Sequence, residues 1–296
     1  MRKTTFAIIV LILMWGFSWP VYKIGLEYTP PILFAGLRTI LGGIILGVIA
    51  LPKYKQLQFK KNWPIYIVSS IFNVILFFGL QTVGLSYLPS GLFSVIVYLE
   101  PVLVGFLAWL WLKEPLTPTK IIGLILGFLG VAAVSEAGFS APNSFLGILL
   151  GIITAIAWTI GTIYLKKVQN QVHLLWLVSM HCMIGGSFLI IAGTTFEKWS
   201  AIHWTLPYIG TLLYGMFIGT SFSWVIWSWL VQHGEVSRVS AYTFFVPMVS
   251  VVVGTLVLHE PVSNFLLIGL ILTIISIYLV NRPVKQAPQL VKNTAE

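Results

Sequence analysis

YLEPVLVGFLAWLWLKEPLT (residues 98–117) returns 146 positions later as FFVPMVSVVVGTLVLHEPVS (residues 244–263). That offset lays Pro101 on Pro247, Glu114-Pro115 on Glu260-Pro261 and, further along, Gly123 on Gly269. A slightly different offset, 143, lays Trp15 on Trp158 and Lys23 on Lys166. Landmarks repeated at fixed spacing in two very apolar halves are the mark of a duplicated membrane domain, a form met in solute transporters.

Composition leads to the same solvent. The 296 residues are 58% hydrophobic and 8% charged, with a mean hydropathy of +0.96. No ordinary soluble domain carries so few charges. The net charge of +9 does not point to nucleic acid, because the basic residues lie in short connections between apolar stretches and not in a stripe interleaved with aromatics. The single cysteine, Cys182, permits no disulfide within the chain. All eight acidic residues are glutamates, and none stands close enough to another in sequence to form the clustered carboxylates of Mg²⁺-dependent chemistry. Neither a metal nor another cofactor is expected, and an enzyme is disfavoured.

Apolar stretches long enough to cross about 30 Å of hydrocarbon as helices fall near 5–23, 31–51, 64–85, 91–112, 119–135, 144–165, 174–194, 207–230, 238–258 and 264–281. With the N-terminus in the cytoplasm, fourteen loop or span-end Lys and Arg residues face inward and only Lys23 and Lys198 outward. Both termini are then cytoplasmic. Five spans per half is an odd number, so the second half must be inverted relative to the first. The expected fold is an all-α integral membrane protein of ten transmembrane helices in two inverted five-helix repeats, 1–138 and 139–284, with a cytoplasmic tail at 285–296. The first span runs through Trp15 and Trp19 to Lys23 without a small-residue cleavage site, and is expected to be retained.

WGFSWPVYK (residues 15–23), Arg38 in the second span, Glu100-Pro101, Glu114 and the second-half counterparts together resemble EamA-type members of the drug/metabolite transporter superfamily. The resemblance covers nearly the whole chain. It implies a carrier of the cell (plasma or inner) membrane with a central cavity and alternating access, commonly exporting amino acids, related metabolites or drugs. A passive channel or facilitator for small organic solutes is the alternative, with a membrane enzyme further behind. The partners implied are a small-molecule substrate, membrane lipid and protons, with the protein a monomer or a homodimer.

Within this frame the polar residues inside the spans are the candidates. Glu100 falls near the bilayer midplane, where a carboxylate must face a wet cavity, meet a cation or carry a proton. It is the expected coupling residue or a binder of a substrate amine, or else a structural partner of backbone freed by Pro101. Arg38 is expected either to bind a substrate carboxylate, to pair with Glu100, or to serve as a structural cation. Asn73, Phe77 and Gln81 share a face of the third span, and Trp227 aligns with Gln81 in the copy. Trp19, Tyr98, Trp158, His181 and Tyr242 complete the expected cavity wall, with packing between helices the competing reading for each. Pro101 and Pro247 are expected hinges, since neither can donate to the helix ladder. Glu114 and Glu260 are expected to join successive spans, and Lys23 and Lys166 to anchor span ends.

Overall fold

A computed structural model describes residues 2–134, 145–259 and 265–282. Glu260-Pro261, the boundary between 138 and 139 and the tail 285–296 lie outside the described residues. The described chain is helical throughout. Eight helices are long and apolar enough to cross a membrane: α1 (Lys3–Gly25), α2 (Pro31–Gln56), α3 (Phe59–Tyr87), α4 (Ser90–Leu112), α6 (Phe145–Val168), α7 (Leu174–Phe196), α8 (Leu206–His233) and α9 (Val236–Leu258). Two are shorter, α5 (Pro118–Val134, 17 residues) and α10 (Leu266–Asn281, 16 residues). All ten lie where the apolar stretches put them.

The radial distribution of side chains is that of a protein dissolved in hydrocarbon. Phe106, Leu110, Ile125, Ile271 and Ile275 are exposed, while Arg38, Asn73, Gln81, Glu100 and His181 are buried. Polar groups retreat to the interior because lipid offers them no partner.

Apolar burial drives no association in lipid, so close packing on small residues holds the helices together. Gly36 of α2 lies against Ile190 of α7, Gly43 against Met183 and Gly47 against Ser179. Residue numbers rise along one helix as they fall along the other, so α2 and α7 are antiparallel. The same holds for α5 and α10, where Gly123 meets Val280, Gly127 meets Ser276 and Gly130 meets Thr273 and Gly269. Each pair joins a helix from the N-terminal part of the chain to one from the C-terminal part. The remaining contacts also survive exchange of the halves: α1 packs on α8 and α9 as α6 packs on α3 and α4, and α2 packs on α8 as α7 packs on α3.

Local devices are duplicated too. α4 is interrupted at Tyr98–Leu99 and α9 at Thr243–Phe244, just ahead of Pro101 and Pro247. α3 and α8 each contain a wide π-helical segment, Ile71–Gly79 and Gly215–Phe222. α4 and α9 each end on a residue in the left-handed region, Lys113 (φ 58°) and His259 (φ 54°), whose N–H closes on the carbonyl of Ala108 or Gly254.

The two anchor lysines have a specific task. Lys23 Nζ donates to the carbonyls of Leu85 (2.7 Å) and Leu88 (3.0 Å) at the end of α3, and Lys166 Nζ donates to those of Gln232 (2.9 Å) and Gly234 (3.0 Å) at the end of α8. The last carbonyls of a helix have no intrahelical donor and carry the negative end of its dipole, so a lysine there satisfies both needs. Lys166→Met should therefore cost about 1–2 kcal/mol, seen as a lower midpoint of thermal unfolding in detergent, with the α-helical circular dichroism of the folded protein unchanged.

Candidate functional site

The ring-bearing faces of α1, α3, α4, α6 and α8 converge between the halves. Trp15, Ser18, Trp19 and Tyr22 recur at three- and four-residue spacing on α1 and form one wall; Phe77, Phe78 and Gln81 of α3, Tyr98 of α4, Trp158 of α6, and Gly219 and Trp224 of α8 form the rest. The rings interlock: Trp15 and Trp158 meet edge to face at 5.4 Å between centroids, Tyr98 and Trp158 at 5.6 Å, and Phe78 and Trp224 at 5.1 Å. The free space among them is about 20 Å³, enough for roughly one water molecule. The aromatic side chains thus hold the cavity collapsed, and an organic solute enters only if they part.

Two buried ionisable groups, Arg38 and Glu100, lie behind the lining residues, and they do not pair with each other. Arg38 is 0% exposed. Its guanidinium is held between the rings of Tyr22 (4.1 Å to the centroid) and Phe78 (4.5 Å). Along its edge it donates to Gln81 Oε1 (3.2 Å), Thr82 Oγ1 (3.1 Å) and Thr220 Oγ1 (3.4 Å). These are neutral acceptors, and Arg38 Nε has no partner. Beside it the Tyr22 hydroxyl is also buried and unpartnered. Gly219 makes this arrangement fit, because a Cβ there would lie 1.9 Å from the Tyr22 hydroxyl oxygen.

Glu100 begins the second segment of α4 directly after the Tyr98–Leu99 interruption and is likewise 0% exposed. Its Oε1 accepts from Thr162 Oγ1 of α6 at 3.4 Å, and Oε2 has no partner. The ion pairs among the described residues are Lys120–Glu235 and Arg238–Glu235. The expected alternative of an Arg38–Glu100 pair is therefore corrected: among the described residues each group meets neutral partners instead.

The other expected residues, Glu100 aside, divide into four sets. Trp19, Phe77, Gln81, Tyr98 and Trp158 line the cavity directly. Arg38 and Trp227 stand immediately behind it, Arg38 through Gln81 and Tyr22, and Trp227 through ring contacts with Trp15 (5.4 Å) and Trp158 (5.7 Å). Asn73 and His181 meet each other's partner instead. Ser69 Oγ lies 2.9 Å from His181 Nδ1 and accepts from Asn73 Nδ2 at 3.2 Å, while His181 stands edge-on to Trp224. Asn73 itself fills the space beside Gly161. Tyr242 is half-buried and joins none of these ring contacts among the described residues. Glu114, expected to join successive spans, reaches from the end of α4 to the start of α9, while Thr117 Oγ1 accepts from Lys120 N (3.2 Å) at the start of α5.

Sequence reasoning did not place Ser18, Phe78, Gly219 or Trp224 in the site. Tyr22 and Trp15 carried a signal, the periodic stripe on α1. Phe78 carried none, because ordinary helical spacing turns it about 100° from Phe77; both line the cavity within the wide-turn segment of α3. Such segments recur at functional sites in membrane and soluble helices alike.

Comparison with known proteins gives the family and the fold. Residues 2–136 and 145–282 match the EamA-like transporter family. The uncharacterized transporter YvbV of Bacillus subtilis is 47% identical over 279 residues, covering 94% of this chain and 92% of that protein. The probable amino-acid metabolite efflux pump of Salmonella typhimurium is 25% identical over 291 residues, 94% of each. A crystal structure that is 17% identical shares the fold with a TM-score of 0.78, covering 95% of this chain and 97% of that one.

Proposed function

The chain belongs to the EamA-like transporter family, and from that premise we propose that it is a secondary active exporter of amino acids, related metabolites or drugs, working by alternating access through the central cavity. The observation that carries this reading is the collapsed aromatic cavity with Arg38 and Glu100 behind it, two buried ionisable groups that leave Nε and Oε2 unpartnered. An organic body suits the ring walls, a carboxylate suits Arg38, and a proton or a substrate ammonium suits Glu100. The relative named as an amino-acid metabolite efflux pump supports the substrate class.

In this reading ten helices cross the cell membrane with both termini in the cytoplasm, and the halves 1–138 and 139–284 are inverted repeats that rock against each other. The antiparallel packing of α2 on α7 and of α5 on α10 supports the inversion. The interruptions before Pro101 and Pro247 supply bending points near the middle of α4 and α9.

The test begins with the purified full-length protein in detergent, screened for thermal stabilisation by a panel of amino acids and cationic drugs. A true ligand at a hundred times its Kd adds about 2.7 kcal/mol. Flux of each hit is then measured in reconstituted vesicles. Saturable flux with counterflow is expected. Unsaturable conductance without counterflow would replace the carrier by a channel.

A further inference from the structure

Beyond the cavity, a second set of charged groups ties the two halves together at one end of the bundle. Past the left-handed Lys113 the chain turns, and Glu114 comes to lie on the start of α9. Its Oε1 accepts from the backbone N–H of Val236 at 2.6 Å, and its Oε2 from the N–H of Ser237 at 3.1 Å and from the Ser237 hydroxyl. Lys120, in the first turn of α5 and 3% exposed, donates to Glu235 Oε2 at 3.2 Å and to Ser237 Oγ at 2.9 Å. Arg238 holds the same Glu235 oxygen at 3.0 Å. Each bond made by Glu114 and Lys120 here runs from the first half to the second.

The first N–H groups of a helix need acceptors, and a carboxylate beside them also meets the positive end of the dipole. Glu235, at the N-cap position of α9, does not cap it with its own side chain. The cap comes instead from the other half. The segments Glu100–Leu112 of α4 and Val236–Tyr242 of α9 pack on each other; the first begins at the Tyr98–Leu99 interruption and the second stops at the Thr243–Phe244 interruption. A cap supplied across the interface stabilises the joined state, and its partly buried groups can be rehydrated when the segments part. Such a contact is reversible, unlike the close backbone packing of α2 on α7.

We infer that Glu114 and Lys120 form a latch that holds the cavity shut on the side where α4 ends and α9 begins, and that its release opens the cavity to that side. The latch rests on the alternating-access reading, so the test must separate the two. Full-length protein carrying Cys182→Ala and one reporter, Ser18→Cys in the cavity wall, is labelled with a membrane-impermeant maleimide in spheroplasts and in inverted vesicles. Parent protein labelled from both sides supports alternation. Glu114→Ala and Lys120→Met should each raise the rate from the latch side relative to the opposite side by at least about fivefold, with Glu114→Gln, which keeps one acceptor oxygen, in between. An unchanged ratio with a lowered unfolding temperature would make Glu114 an ordinary cap and overturn the latch. Parent protein labelled from neither side, or from one side only with no latch variant opening the other, removes the alternating-access premise, and the latch with it. Should Glu114→Ala fail to fold, Lys120→Met alone decides by the same ratio.

Discussion

Replacing Glu100 by glutamine is expected to abolish gradient-driven transport while leaving the protein folded. Glutamine has the shape of the carboxylic acid and keeps an oxygen for Thr162 Oγ1, now 3.4 Å from Glu100 Oε1. The helix break and the packing behind it are therefore undisturbed, and the expected stability change is below about 1.5 kcal/mol. What glutamine cannot do is gain or lose a proton. With Oε2 unpartnered and no cation within ion-pairing distance among the described residues, Glu100 is a buried group beside the cavity on which a proton can ride. In vesicles with an imposed pH gradient, uptake by Glu100→Gln is expected to fall to the level measured without a gradient, and its rate to become flat across pH where that of the parent varies. Identical gradient-dependent transport in both proteins would remove the coupling role of this carboxylate and leave it as a partner for Thr162.

The largest loss of stability is expected at Gly186. It lies where α7 crosses α2, and a Cβ there would stand 2.6 Å from the backbone nitrogen of Ile40 and 2.9 Å from its Cα. Backbone atoms cannot swing aside as a side-chain tip can, so one helix must move bodily. The same seam is equally close at Gly43, where a Cβ would meet Met183 N at 2.8 Å. Gly186→Leu should cost about 3 kcal/mol or more, a large share of the roughly 5–15 kcal/mol that holds a typical protein folded. The damage extends to the site, because Arg38 lies on the displaced stretch of α2 and must keep Gln81, Thr82 and Thr220 in reach. Gly210→Leu is the control, since a Cβ at Gly210 meets nothing within 4 Å. The prediction is a monodisperse, thermally unchanged Gly210→Leu and an aggregated or strongly destabilised Gly186→Leu on size exclusion and thermal unfolding. Equal behaviour of the two would show that the α2–α7 seam adapts more freely than its geometry implies.

Much of the site was legible before any coordinates. Trp15, Trp19 and Tyr22 announce a face of α1 by spacing alone, and Glu100 and Arg38 stand out because ionisable groups are rare within membrane spans. Other assignments were beyond the reach of periodicity. Phe77 and Phe78 enter the same cavity inside a wide-turn segment that ordinary helical spacing does not anticipate. Asn73 and Gln81 share a face of α3 by number, yet Asn73 turns to Ser69 and Gly161 while Gln81 turns to Arg38.

The amino-acid sequence was sufficient for the solvent and the position of the described helices, because those depend on local quantities: hydrocarbon thickness and the need to satisfy each backbone group within its own segment. Which buried polar groups meet depends on how helices far apart in the chain register against one another. Arg38 finds Thr220 across 182 residues and Glu114 finds Val236 across 122. Those partnerships follow from the close crossing of α2 with α7 and the packing of α4 on α9, relations that exist only once the two halves have assembled.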